Sequence, residues 1–370
     1  MYNNNPINIT KDDIDIMLAD KHKIKDEKIT DILNWTSGNI IGLYATSLGI
    51  GGILPIAIKF NKSLLKKGLV ITTGAQDVMK DSAQISTILT SDYLCGKKND
   101  NFSKYFGIEQ EDFVIRCKDI LNNAAIHIIL DSSIQKDGPS AGGAFMIANI
   151  SHILGHTLSK HVGITGEINS NFIITQIGGV NMKINGAMLA GCRSVIVPHQ
   201  NIDSVIRELV YDSSIDCKNI YGKRVAFIYY SEKENAYILL IRTKPTNNVD
   251  SSIQSFDVSI INSTAYYDNY TDQVPSLYRI KLNINALIDP NIGLDITLFE
   301  DVKLSDLMRD HFVIIAEEKI PNIYYYMVEY MGLICYNKPF IISSDSYQDL
   351  YNMVVEKSTY ILMNRYPYLY

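Results

Sequence analysis

The spacing of apolar positions changes several times along the chain, and each change marks an element. Over residues 9–35, Thr10 followed by Ile14, Met17 and Leu18 at helical spacing, then a Lys-rich stretch and a second pattern around 29–33, predicts a helical lead-in assigned to 1–38. From 39 the period shortens to that of strands at 40–46, 53–60 and 69–73, with a Lys66-Lys67-Gly68 turn before the third. Residues 77–94 place Val78, Ala83, Ile85, Ile88 and Leu89 on a helix face. A strand at 124–130, a glycine-rich loop at 137–143 and an apolar helix at 144–158 follow. Strands at 162–168 and 172–177, a helix at 181–190, a strand at 194–197, a helix at 202–210 and a strand at 224–230 come next.

Residues 243–254 are polar and read as a linker. Beyond them, 255–370 holds most of the 24 tyrosines, with strand runs at 256–261, 277–287 and 312–316 and helix patterns at 304–308 and 348–362. The expected fold class is α+β: a domain of mixed strands and helices over 39–242, then a smaller Tyr-rich α+β domain over 255–370 of unknown function.

Composition narrows the picture. A chain of 370 residues with 46% hydrophobic positions is long enough for two cores. Its net charge of −6 is spread along the chain, without the clustered Lys and Arg that nucleic acid requires, so no nucleic-acid partner is expected. The five cysteines lie far apart, with no CxxC pair and no Cys/His metal spacing, so no disulfide framework, metal or cofactor is expected. Met1-Tyr2-Asn3-Asn4-Asn5 has neither a secretory nor an organelle signature, which points to the cytoplasm. The uncharged stretch 40–58 is about long enough to span a bilayer, but Gly42, Gly49, Gly51, Gly52 and Pro55 read better as two strands around a turn, and no membrane association is expected.

Two segments carry candidate chemistry. In Asp137-Gly138-Pro139-Ser140-Ala141-Gly142 a serine stands at the mouth of a helix, where free backbone amides favour developing negative charge. Taken alone, the loop is also compatible with a simple turn or a phosphate cradle, although it lacks the Gly-Lys-Ser/Thr ending of a Walker loop. Lys183 falls within an apolar helix pattern of Ile177, Val180, Ile184 and Met188, just after Gly178-Gly179, a double glycine that would allow close backbone approach. A lysine there either covers apolar surface with its stem and reaches water, or is buried with its pKa driven toward neutrality. His152, His156 and His161 lie on or just after the helix following Ser140 and read as surface or core histidines rather than as parts of a Ser-His-Asp site.

Residues 137–142, Thr165-Gly166-Glu167 and 177–183 together resemble the signature of the Lon peptidase family, a Ser-Lys dyad protease. The likeness extends from residue 9 to about 240 and includes Thr73-Gly74, Val78-Met79, Ser82, Gly191 and Val195-Ile196-Val197-Pro198. It implies that Ser140 is the nucleophile and Lys183 the general base, that Thr165 hydrogen-bonds the lysine amine, and that Asp137, Gly138 and Pro139 belong to the loop supplying oxyanion contacts. Family histidines on the preceding strand would fall at Ile126 and Ile128; His127 matches only with one residue deleted in 131–135. Gln135 replaces a usual proline, and Phe172 a usual hairpin glycine, in whose place Asn171 could take the positive φ.

The resemblance implies a polypeptide substrate and a homo-oligomeric ring, expected to be a hexamer. Family members carry an upstream ATPase, whereas 1–38 resembles only the tail of that region and the sequence has no GxxxxGK[ST] loop. The leading reading is an ATP-independent serine endopeptidase acting on unfolded or flexible polypeptides. The alternatives are a catalytically silent scaffold that oligomerises and presents the C-terminal domain, or a proteolytic part served by a separate ATPase partner.

Overall fold

The computed structural model describes residues 28–61, 68–71, 75–96, 110–123, 125–130, 137–205, 224–231, 233–234, 236–241, 256–261, 277–283, 297–299, 302–303, 311–318 and 320–327. Strands β1 (Asn39–Ala45) and β2 (Gly51–Asn61) form an antiparallel hairpin, with Ile41 opposite Pro55 and Ala45 opposite Gly51. The stretch weighed as a membrane span is therefore a hairpin, turned at Gly49 with φ 81°. Among the described residues no helix is long and apolar enough to cross a membrane.

The remaining strands are β3 (Gly68–Ile71), β4 (Ala125–Leu130), β5 (Val162–Ile164), β6 (Glu167–Ile168), β7 (Ile174–Thr175), β8 (Ser194–Val197), β9 (Arg224–Ser231), β10 (Ala236–Ile241), β11 (Phe256–Ile261), β12 (Leu277–Asn283), β13 (Thr297–Phe299), β14 (Val302–Lys303) and β15 (His311–Ala316). The helices are α1 (Asp77–Cys95), α2 (Gln110–Asn123), α3 (Gly142–Leu154), α4 (Val180–Leu189) and α5 (Ile320–Met327). The molecule is mixed α+β, as its sequence suggests.

Eleven strands form one sheet in the order β11-β12-β10-β9-β15-β8-β5-β1-β2-β4-β3. Its centre, β9 through β1, is parallel; antiparallel pairs extend it on both sides, and β3 joins β4 in parallel at one edge. β15 pairs in parallel with both β8 and β9, Val313 lying between Ser194 and Ala226. The sheet thus continues past residues 243–254, which lie outside the described residues, and the expected linker does not divide it.

Side-chain alternation gives the sheet two apolar faces. Ile40, Leu54, Ile56 and Ile58 join the core beneath α1, α3 and α5, whereas Ile41, Leu43 and Ile53 join a second core with Val180, Ile184 and Ala187 of α4. α3 is apolar on every side and buried along almost its whole length, as a helix enclosed between α1, α5 and the sheet must be. It begins at Gly142, two residues before the sequence pattern implies. It ends at Gly155, whose φ of 75° suits the left-handed cap, so 155–158 are not helical.

The expected strand 162–168 is broken into β5 and β6, because Gly166 adopts φ 157°. α2, α5, β10, β13 and β14 have no counterpart in the sequence reading. The helix patterns at 304–308 and 348–362, the lead-in before residue 28 and the turn at 66–67 lie outside the described residues. Of the second lead-in pattern, residues 29–31 form a single 3-10 turn.

Candidate active site

α3 and α4 pack on opposite faces of the sheet, and Ser140, just before α3, meets Lys183 of α4 beyond the carboxyl end of β5. Ser140 stands in a 3-10 turn, Pro139–Ala141, that leads directly into α3. Pro139 suits this first turn because its ring fixes φ and its missing N–H is not needed there. Gly138 has φ 115°, a conformation L side chains rarely adopt, which explains the glycine before the proline.

The loop is fastened to α1 at two points. The Asp137 carboxylate accepts a hydrogen bond from the Met79 N–H at 3.1 Å, capping the first turn of α1 from another segment. The Ser82 hydroxyl donates to the Pro139 carbonyl at 3.1 Å.

Lys183 lies one turn into α4, which starts at Gly179 in the left-handed region, φ 65°. The close approach that sets this helix is not at Gly178, around which a Cβ would find open space. It lies instead between α4 and the start of β2. A Cβ on Gly51 would fall 1.7 Å from the Met182 carbonyl oxygen, and one on Gly186 would fall 2.3 Å from the Gly51 carbonyl carbon. Only glycine permits that contact, and it lays the helix on the hairpin with Lys183 directed inward.

Lys183 is 4% exposed. Its Nζ donates to Ser140 Oγ at 2.9 Å and to Thr165 Oγ1 at 3.1 Å. Thr165, fully buried after β5, in turn directs its hydroxyl to the Ser140 carbonyl at 3.4 Å. That carbonyl also accepts the Gly166 N–H at 2.8 Å, and Gly143 N–H donates to Gly166 O at 3.0 Å, so the serine turn and the strand end are stitched together. Burial lowers the lysine from 10.5 to about 8, since an ammonium removed from water loses hydration that two hydroxyls do not replace. An amine that is neutral in part near physiological pH, in hydrogen-bond contact with a serine hydroxyl, can accept its proton.

Ser140, Lys183, Thr165, Gly138, Pro139 and Asp137 thus converge on one place. His127 is elsewhere: on β4 it faces Lys59 of β2 and Val70 of β3, and its Nε2 has no partner among the described residues. His152 accepts the Phe60 N–H, and His156 bonds the Tyr324 hydroxyl at 2.8 Å. Ser82 was noted in the sequence only as part of the resemblance, and its role at the loop was not anticipated.

The turn expected at Asn171 is made differently. Phe172 itself takes φ 62°, while the Asn169 side chain accepts the N–H groups of Asn171 and Ile173. Packing of Phe172 against Tyr93, with ring centroids 5.1 Å apart, holds the residue there.

Comparison with known proteins agrees with this geometry. Residues 8–213 match the profile of the Lon protease (S16) C-terminal proteolytic domain. The chain belongs to that family. It is 31% identical over 253 residues to a Lon protease homolog of Acanthamoeba polyphaga mimivirus, covering 66% of this chain and 22% of that one. It is 34% identical over 199 residues to the Lon protease of Clostridium beijerinckii, covering 53% and 22%, and 34% identical over 166 residues to Lon protease 1 of Bacillus subtilis, covering 44% and 19%. The chain therefore corresponds to about a fifth of the length of these relatives, within the part that carries proteolysis. The family implies a peptidase.

Proposed function

We propose that this Lon-family chain is a serine endopeptidase in which Ser140 is the nucleophile and Lys183 the general base. The observation that carries the reading is the 2.9 Å contact between Ser140 Oγ and a buried amine whose pKa is lowered to about 8. The neutral amine takes the Ser140 proton as Oγ bonds the substrate carbonyl carbon. Backbone amides of the loop at Gly138 and Ser140 receive the oxyanion; Pro139 has none to give. Collapse breaks the C–N bond, and the Lys183 ammonium returns its proton to the leaving amine. Water then gives a proton to the same amine and attacks the acyl carbon; the bond from that carbon to Oγ breaks, the carboxyl product leaves, and the Lys183 ammonium returns its proton to Ser140 Oγ. Thr165 keeps the amine aimed at Oγ.

The substrate is an extended segment of unfolded or flexible polypeptide. Acyl transfer at this site requires no nucleotide, and the sequence holds no Walker loop to couple one. A homo-oligomeric ring, with six copies as the expected number, would place the sites around an enclosed space. Purified chain incubated with a loosely folded protein should degrade it at equal rates with and without ATP, and the Ser140→Ala variant should not degrade it. Persistent cleavage by that variant would refute the assignment, and stimulation by ATP would refute nucleotide independence.

A further inference from the structure

Four hydroxyls lie along the side of α1 that meets the serine turn and α3, and three of them behave as helix hydroxyls usually do. Ser86, Thr87 and Thr90 each reach the carbonyl four residues back, at 2.7, 2.9 and 2.7 Å, and Ser86 also lies 2.9 Å from the Gly142 carbonyl at the start of α3. Ser82 does not. Ser82 is buried, and its hydroxyl leaves its own helix and donates to the Pro139 carbonyl. That carbonyl already accepts the Gly142 N–H that closes the 3-10 turn, so it now carries two hydrogen bonds.

The partner group of this carbonyl is the N–H of Ser140, since both belong to one peptide unit. No cis peptide occurs among the described residues, so the C=O and N–H of that unit point in opposite directions. Fixing the Pro139 oxygen toward α1 therefore aims the Ser140 N–H away from α1, out of the mouth of the helix. Packing holds the turn at Ala141, which is buried in the core, but not at Gly138, where a Cβ would have no neighbour within 4 Å. Hydrogen bonds hold it as well: to α1 through Asp137 and the Pro139 carbonyl, and to Gly166 through the Ser140 carbonyl.

We infer that Ser82 is a positioning residue for the reaction, orienting and polarising the peptide whose N–H binds the oxyanion. It touches no substrate; it acts through Pro139 and Ser140. A donor aimed before the reaction begins needs no reorganisation in the transition state, and losing one such donor outright costs about 10²–10³-fold in kcat. Releasing the peptide without removing the donor should cost less, about tenfold. The inference rests on the proposed dyad and adds to it the reason why a serine stands at this position of α1.

The test uses the full chain, short fluorogenic peptides and active-site titration with a serine-acylating reagent. Ser82→Ala should lower kcat per titrated site by about tenfold with KM unchanged. It should weaken inhibition by a peptide boronate, which forms a tetrahedral adduct on Ser140, by the same factor. The pH midpoint should not move, because Lys183 is untouched. Ser82→Thr, which keeps the hydroxyl, should restore most of the loss. If Ser82→Ala keeps wild-type kcat per titrated site and only its melting temperature or titratable fraction falls, Ser82 is structural and the inference is overturned. Wild-type chain that neither cleaves nor labels at Ser140 overturns the dyad reading itself, and this inference with it.

Discussion

Lys183 occupies a place where an ammonium is poorly solvated, and that is the source of both its chemistry and its cost. Its folded-state pKa of about 8 lies below the ordinary 10.5, so between these values the unfolded chain binds more protons and stability rises with pH. Below about pH 8 the full penalty applies, on the order of 3 kcal/mol. Lys183→Met keeps the volume and removes the charge. It should abolish cleavage, a loss of about 10²–10⁴-fold or more, yet stabilise the fold at pH 7 by about 1–2 kcal/mol after the lost hydrogen bonds are counted. Denaturant titrations should show that gain shrinking as pH rises from about 8 to 10.5; a variant less stable than wild type at pH 7 contradicts the burial argument. Thr165→Val removes a hydroxyl that accepts from the amine, so the ammonium loses support. The pH midpoint of kcat should move below about 8 and the plateau should fall. In the sequence Ser140 stands out at a helix mouth and Lys183 within an apolar helix pattern, whereas their proposed roles, and Thr165 altogether, come from the resemblance to the Lon family. The conformation of Phe172 was not legible there, because its φ of 62° is set by Asn169 and by Tyr93, the latter about eighty residues away in the chain.

At the scale of elements, Lys183, the proposed general base, depends for its position on two glycines that do no chemistry. Gly51→Ala would drive a methyl into the Met182 carbonyl, and the hairpin and α4 would have to separate. We expect a stability loss of about 1–3 kcal/mol or more, together with a fall in kcat as Lys183 withdraws from Ser140. Thermal unfolding and peptide kinetics on the same preparation would check both, and an unchanged kcat would show that helix position is not critical. The sequence reading credited Gly178-Gly179 with this contact, since two glycines beside a functional lysine look like a close approach. Gly179 instead supplies a left-handed helix start, and the approach occurs with a glycine more than 120 positions earlier. Strands β1, β2 and β8 were read nearly to their ends from alternation. α2 was not: Val114, Cys117 and Leu121 pack on the core at helical spacing, but Ile115, 63% exposed, blurs that face in the sequence. α5 was missed because Pro321 and the run Tyr324-Tyr325-Tyr326 look unlike a helix, although Ile320, Ile323, Tyr324 and Met327 fall on one buried face at helical spacing.

For the whole molecule, the arrangement of the sheet decides what can be separated from what. A polar stretch at 243–254 suggests a division of domains, yet β15 comes from beyond it and lies between β8 and β9, a long-range pairing that no local pattern reveals. The same unit braces the site: Ile174 N–H donates to Glu318 O and Ile320 N–H to Phe172 O, beside the β6–β7 hairpin that follows Thr165. A chain ending at Arg242 would lose β15 and α5 and expose two inner strand edges. We expect it to aggregate or to be inactive on short peptides, and circular dichroism with a cleavage assay would decide. A folded, active product of that length would instead support the division suggested by composition. The central claim, that Lys183 activates Ser140, is tested most directly by the rate at which a fluorophosphonate modifies the chain between about pH 6 and 10, with the site located by peptide mass mapping. The account predicts modification at Ser140, at a rate that rises about tenfold per pH unit, bends near pH 8 and then levels, and that collapses in Lys183→Met. Modification at another residue, or a wild-type rate in Lys183→Met, would contradict it.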